Sequence, residues 1–144
     1  MFDPGVPSVP VCFSEQVFAG KVVGWLSWGT KHPVFQAELL PVAVAAATWC
    51  ETLIDRDVLV FLDNEAARYA LVKGYSPVAS AAKLLGEAWL SFSRSGASVW
   101  IARVPSGSNP ADAPSRLQEC PGWRKVRAKV PKGLGDVREW FVAG

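Results

Sequence analysis

Three carboxylates stand out because each occupies a different kind of local sequence. Glu38 lies in Phe35-Gln36-Ala37-Glu38-Leu39-Leu40, at the start of an apolar helical run. Asp63 ends the apolar stretch Val58-Leu59-Val60-Phe61-Leu62 and is followed by Asn64. Asp112 heads a short helical pattern within Asn109-Pro110-Ala111-Asp112-Ala113-Pro114-Ser115-Arg116. An acid at the end of a buried strand is poorly solvated and needs a partner. A divalent cation can satisfy several such acids at once, because hard cations take oxygen ligands in sets. Two Mg²⁺ ions about 3.5–4 Å apart, held by converging carboxylates, form the usual apparatus for hydrolysing a phosphodiester.

Each acid also has a plainer explanation. Glu38 complements the dipole of a helix start. Asp63-Asn64 and Asn109-Pro110-Ala111-Asp112 are ordinary helix N-caps, the second with proline in the first turn. Only their order and context along the chain favour the metal reading.

The elements that must position them follow from periodicity. Val34 to Leu53 carries Leu39, Val42, Ala46, Trp49 and Leu53 at helical spacing, with Pro41 acceptable only near the start or at a kink. Val58 to Leu62 is a continuous apolar run, as in a strand covered on both faces. Glu65 to Val72 reads as a short helix capped by Gly74. Ser76-Pro77 opens a longer helix whose apolar face is Leu84, Leu85, Ala88, Trp89 and Phe92. Ala97 to Val104 is a further strand, and Pro110 to Leu117 a short helix. Val9 to Phe18 is strand-like, Gly20 to Lys31 a helical turn or packed loop, and Trp140-Phe141-Val142 a terminal apolar anchor. Trp49, Trp89 and Trp100 fall on core faces. Strands alternating with helices imply parallel pairing and an α/β fold. Sites in such sheets lie outside the carboxyl ends of the strands, where Asp63 is found.

The bulk numbers agree with one folded domain. The chain has 144 residues, 50% hydrophobic and 19% charged, with a net charge of +2. That charge permits nucleic-acid binding without arguing for it. Arg124, Lys125, Arg127, Lys129 and Lys132 nevertheless crowd together near the C-terminus. Three scattered cysteines, Cys12, Cys50 and Cys120, contain no CxxC pair, which favours a reducing compartment over a disulfide framework or a zinc site. No signal peptide is read at the N-terminus, and the apolar run Val42 to Ala47 is too short for a bilayer. The expected location is intracellular, cytoplasm or nucleus, with no membrane partner.

The blocks Gln36-Ala37-Glu38-Leu39-Leu40, Phe61-Leu62-Asp63-Asn64-Glu65-Ala66-Ala67 and Asn109-Pro110-Ala111-Asp112-Ala113-Pro114-Ser115-Arg116 together resemble the later acidic motifs of ribonuclease H domains, closest to those attached to retroelement reverse transcriptases. The third block is the most specific. The resemblance covers residues 1–118 and leaves 119–144 as a basic extension. It implies a mixed central sheet flanked by helices, with Glu38, Asp63 and Asp112 as ligands of two Mg²⁺ ions, Mn²⁺ being an alternative. It also implies hydrolysis of the RNA strand of an RNA–DNA hybrid, leaving 5′-phosphate and 3′-hydroxyl ends, with an upstream reverse transcriptase domain as partner. Asn64, Arg68, Lys73, Ser108, Asn109 and Arg116 are the expected nucleic-acid contacts. The family pattern begins with a strand bearing another Asp, shared by both metals. No such motif precedes Glu38, and Asp3-Pro4-Gly5 reads as the turn after the family's second strand. The first, mid-sheet strand is therefore expected to be missing, which leaves a gap of roughly 10 Å beside the strand ending at Asp63 and impairs catalysis. The loop Val104 to Ser108 carries no His, and His32 does not align with one. The rival expectations are a non-catalytic ribonuclease H-like domain for nucleic-acid binding or interaction, and an unrelated α/β domain whose acids are caps.

Overall fold

The structure, a computed structural model, describes residues 1, 9–14 and 34–135. The expectations for Asp3-Pro4-Gly5, Gly20 to Lys31, His32 and Trp140-Phe141-Val142 lie outside them. The described elements are β1 (Val11–Cys12), α1 (Val34–Thr48), β2 (Asp57–Leu62), α2 (Glu65–Lys73), α3 (Ala79–Ser95), β3 (Ser98–Arg103), the four-residue α4 (Asp112–Ser115) and β4 (Arg124–Lys125). The fold is mixed α/β.

β2 and β3 pair in parallel from Asp57 opposite Ser98 to Leu62 opposite Arg103. This follows from β–α–α–β connectivity, which returns the chain to the same end of the sheet. β1 and β4 form a separate two-stranded parallel pair. A single mixed central sheet is therefore not found among the described residues; two small parallel pairs take its place.

The helices form one layer on the β2–β3 pair. α1 and α3 pack most extensively against each other, and α2 contacts both β3 and α1. The core joins Leu39, Val42, Ala43 and Ala46 of α1 to Ala67, Ala70 and Leu71 of α2 and Leu84, Leu85, Ala88 and Phe92 of α3. Val130 and Leu134, beyond residue 118, pack into the same cluster. The Lys129 amide donates to Thr48 Oγ1 at 2.8 Å, tying this segment to the end of α1.

Local chemistry explains most of the boundaries. Asn64 caps α2 by accepting from the Ala67 amide at 2.9 Å, and Gly74 closes it in the left-handed region at φ 66°. Gly96 ends α3 at φ 67°, where an added Cβ would meet Asp55 Oδ1 at 2.7 Å. α1 runs through Pro41 and stops at Thr48, short of Leu53. α3 starts at Ala79 rather than at Ser76-Pro77, because the Ser76 hydroxyl accepts from the Val78 amide and forms a turn first. α4 is shorter than the expected Pro110 to Leu117.

Two burial expectations are overturned. β2 is not covered on both faces, since Leu59 is 65% and Phe61 55% exposed. Trp100 is not a core residue; it is 68% exposed and lies opposite Leu59 in the register. All three helices sit on the face of Val58, Val60 and Leu62, which leaves the alternate positions outward.

Candidate functional site

An apolar groove of about 720 Å³ runs along β2 and ends among the acidic residues. It is lined by Val58 to Leu62 of β2, by α1 residues including Leu40, Pro41 and Val44, and by Met1, Cys12, Phe13 and Ser14. At one end lie Glu38, Asp63, Asn109 and Asp112.

Glu38 is half-buried on the second turn of α1. Burial, and then the negative charge of Asp63, push its carboxyl above the usual carboxylate range. Two acids from different elements thus lie closely enough for their charges to act on each other. Asp63 leaves the carboxyl end of β2 and accepts a hydrogen bond from Asn109 Nδ2 at 3.1 Å. Asn109 is held in turn by its own Oδ1, which accepts from the Ala111 amide at 3.0 Å. The loop after β3 is brought to Asp63 because β3 runs parallel to β2 and ends beside it; the Val104 amide donates to Leu62 O at 2.9 Å.

Asp112 lines the same groove end but is exposed, and it accepts from Arg116 Nε at 3.2 Å, one turn along. Among the described residues, no group of three His, Cys, Asp or Glu side chains is close enough to hold one ion. Glu38 and Asp63 are therefore the pair the structure brings together, with Asp112 at the margin. The chemistry of that pair fits a divalent cation: two hard oxygen donors in partial burial, with a mutual repulsion that a cation relieves.

The expected nucleic-acid contacts divide. Asn64 caps α2, immediately beside Asp63. Arg68 bonds Glu65 through Nη2 at 2.5 Å and covers the Tyr69 ring, and its guanidinium holds the Glu65 carboxyl below the usual range. Lys73 sits at the far end of α2, roughly 13 Å from Asn64 along the axis. Ser108 is exposed in the 3₁₀ turn Ser106–Ser108, and Arg116 is engaged by Asp112. Arg103, which the sequence reading passed over, approaches Glu65 at 3.6 Å from the end of β3. Parallel register alone would have placed it there. Asn109 as the partner of Asp63 was also missed in that role; its signal was Asn before Pro in the loop after a strand.

Among the described residues no helix is long and apolar enough to cross a membrane. Compared with protein-family models, curated proteins and solved structures, the chain shows no match.

Proposed function

We propose that the chain is a ribonuclease H-like domain whose acidic groove end binds Mg²⁺ and acts on the RNA strand of an RNA–DNA hybrid, as part of a retroelement reverse transcriptase. The observation that carries this reading is the Glu38–Asp63 pair, one acid from the first long helix and one from the carboxyl end of β2, in the order of the motifs that resemble the family. Glu38 and Asp63 would hold the metal, with Asp112 joining if Arg116 releases it. When bound, such ions activate a water for attack on phosphorus and stabilise the leaving oxygen. Asn109 fixes the direction of the Asp63 carboxylate. Arg116, Lys73 and the basic segment from Arg124 to Lys132 supply phosphate contacts. Two or three acids position two metals less well than the four that the resemblance implies, so this reading expects slow cleavage.

A second reading, a non-catalytic ribonuclease H-like domain that binds nucleic acid or a protein, is favoured by one observation. Asp112 is paired with Arg116 rather than with Glu38 or Asp63.

One experiment separates them. Melting temperature is measured with Mg²⁺ and with chelator for the parent and Asp63→Asn, alongside cleavage of an end-labelled RNA–DNA hybrid. The nuclease reading expects a Mg²⁺-dependent rise in the parent that Asp63→Asn abolishes, with slow cleavage lost in the same variant. Hybrid binding without any Mg²⁺ response selects the second reading. Neither binding nor a Mg²⁺ response would sink both.

A further inference from the structure

The open edge of β2 goes beyond any metal chemistry at its end. The Ser98 amide donates to Arg56 O and the Val104 amide to Leu62 O, each at 2.9 Å. In a parallel ladder the amide and carbonyl of one residue point to the same side. The even-numbered residues of β2 therefore face β3, and Asp57, Leu59 and Phe61 turn their backbone groups into the groove. Among the described residues no second strand pairs with β2. Backbone groups in an apolar groove are costly to leave unpaired, and only another extended backbone matches a row that repeats every second residue.

Charge selects the occupant. The β2 of a second copy would bring its own Asp57 and Asp63 to a groove whose end already carries Glu38 and Asp63. The like charges of Glu38 and Asp63 at one end favour a basic side chain on the occupant there.

We propose that this groove is an acceptor site for a single extended strand of a partner polypeptide, apolar along its length and basic at the end beside Asp63, which adds to β2 through the backbone of Leu59 and Phe61. The backbone pairing holds whether or not the acids bind metal, whereas the preference for a basic end applies to the metal-free acids.

The test uses the purified chain of 144 residues. The probe is a fluorescein-labelled peptide of alternating valine and threonine with a lysine at each end, acetylated and amidated. Binding is read by anisotropy and by residue-resolved hydrogen exchange. The peptide is expected to bind saturably and to slow exchange at the Leu59 and Phe61 amides at least tenfold. The same peptide N-methylated throughout should bind at least tenfold more weakly. Leu59→Pro removes a groove-facing donor without touching the ladder to β3, and should weaken binding as much while β3 amides keep their protection. If that variant does not fold, the methylated peptide decides alone. The proposal is overturned if the Leu59 and Phe61 amides are already protected in the chain by itself. It is equally overturned if their protection rises only with the concentration of the chain, which makes a second copy the occupant. Equal binding of the methylated peptide would reduce the effect to apolar adhesion and also overturn it.

Discussion

Replacing Asn109 tests whether the acidic end of the groove is organised as described. Its side chain makes two bonds, donating to Asp63 Oδ2 at 3.1 Å and accepting from the Ala111 amide at 3.0 Å. Asn109→Ala removes both. The first is a bond to a half-exposed carboxylate, worth about 1 kcal/mol after screening. The second is a local cap, worth up to about 1 kcal/mol. Together they predict a loss of roughly 1.5–2 kcal/mol by these rules. Unfolding entropy for a chain of this length is roughly 0.3 kcal/mol/K, so the melting temperature should fall by about 5–7 °C. Asn109→Asp separates the two bonds. It keeps the acceptor for Ala111 but sets a carboxylate against Asp63, so without metal it should be at least as destabilised as the alanine variant. With Mg²⁺ the order reverses, because the new carboxylate adds a hard oxygen beside Glu38 and Asp63. Differential scanning fluorimetry at neutral pH, with chelator and with Mg²⁺, reads all four states. An alanine variant that melts with the parent would show that Asn109 does not hold Asp63. An aspartate variant indifferent to Mg²⁺ would remove the cation from this site.

Two further outcomes follow from the same geometry. Glu38 has its folded pKa raised by burial and by Asp63, so in the window between its ordinary and raised values the folded state binds more protons than the unfolded one. Stability contributed by the protonated form is therefore lost as pH rises through that window; Glu38→Gln should flatten this decline and melt higher than the parent at neutral pH in chelator, whereas parallel profiles would refute the coupling. Trp100, being largely exposed, should tolerate Trp100→Thr at a cost of less than about 1 kcal/mol, against about 3–5 kcal/mol for truncating a packed core tryptophan, as read by urea unfolding.

What the sequence made legible was local. Asn64 and Gly74 bound α2 where cap chemistry puts them, and the parallel β2–β3 pair follows from two helices intervening between two strands. The Glu38–Asp63 encounter was legible for the same reason, since α1 feeds β2 and both acids end on one edge. What failed was an inference from composition to surroundings. Val58 to Leu62 is apolar throughout, and such a run predicts cover on both faces. Apolarity records only what a strand tolerates burying, and the second cover, like the second neighbour, must come from other segments. Trp100 was misjudged with it, because facing positions in a register share one environment.

The exposed apolar face and the open edge bear on the acidic end as well. Among the described residues Asp63 is positioned from two sides: by the ladder to β3, through the Val104 amide on Leu62, and by Asn109 from the loop beyond it. Nothing described pairs with β2 on the groove side, so the backbone that carries Asp63 is restrained along one edge. A strand added at Leu59 and Phe61 would restrain the other edge and exclude water from the apolar wall leading to Glu38. Lower local dielectric strengthens the repulsion between the two acids and so raises the gain from a cation between them. The basic end of the strand would take up the same charge that Mg²⁺ neutralises, so occupancy of the groove and affinity for Mg²⁺ should oppose each other, each ligand lowering the affinity of the other by the same factor, as linkage requires.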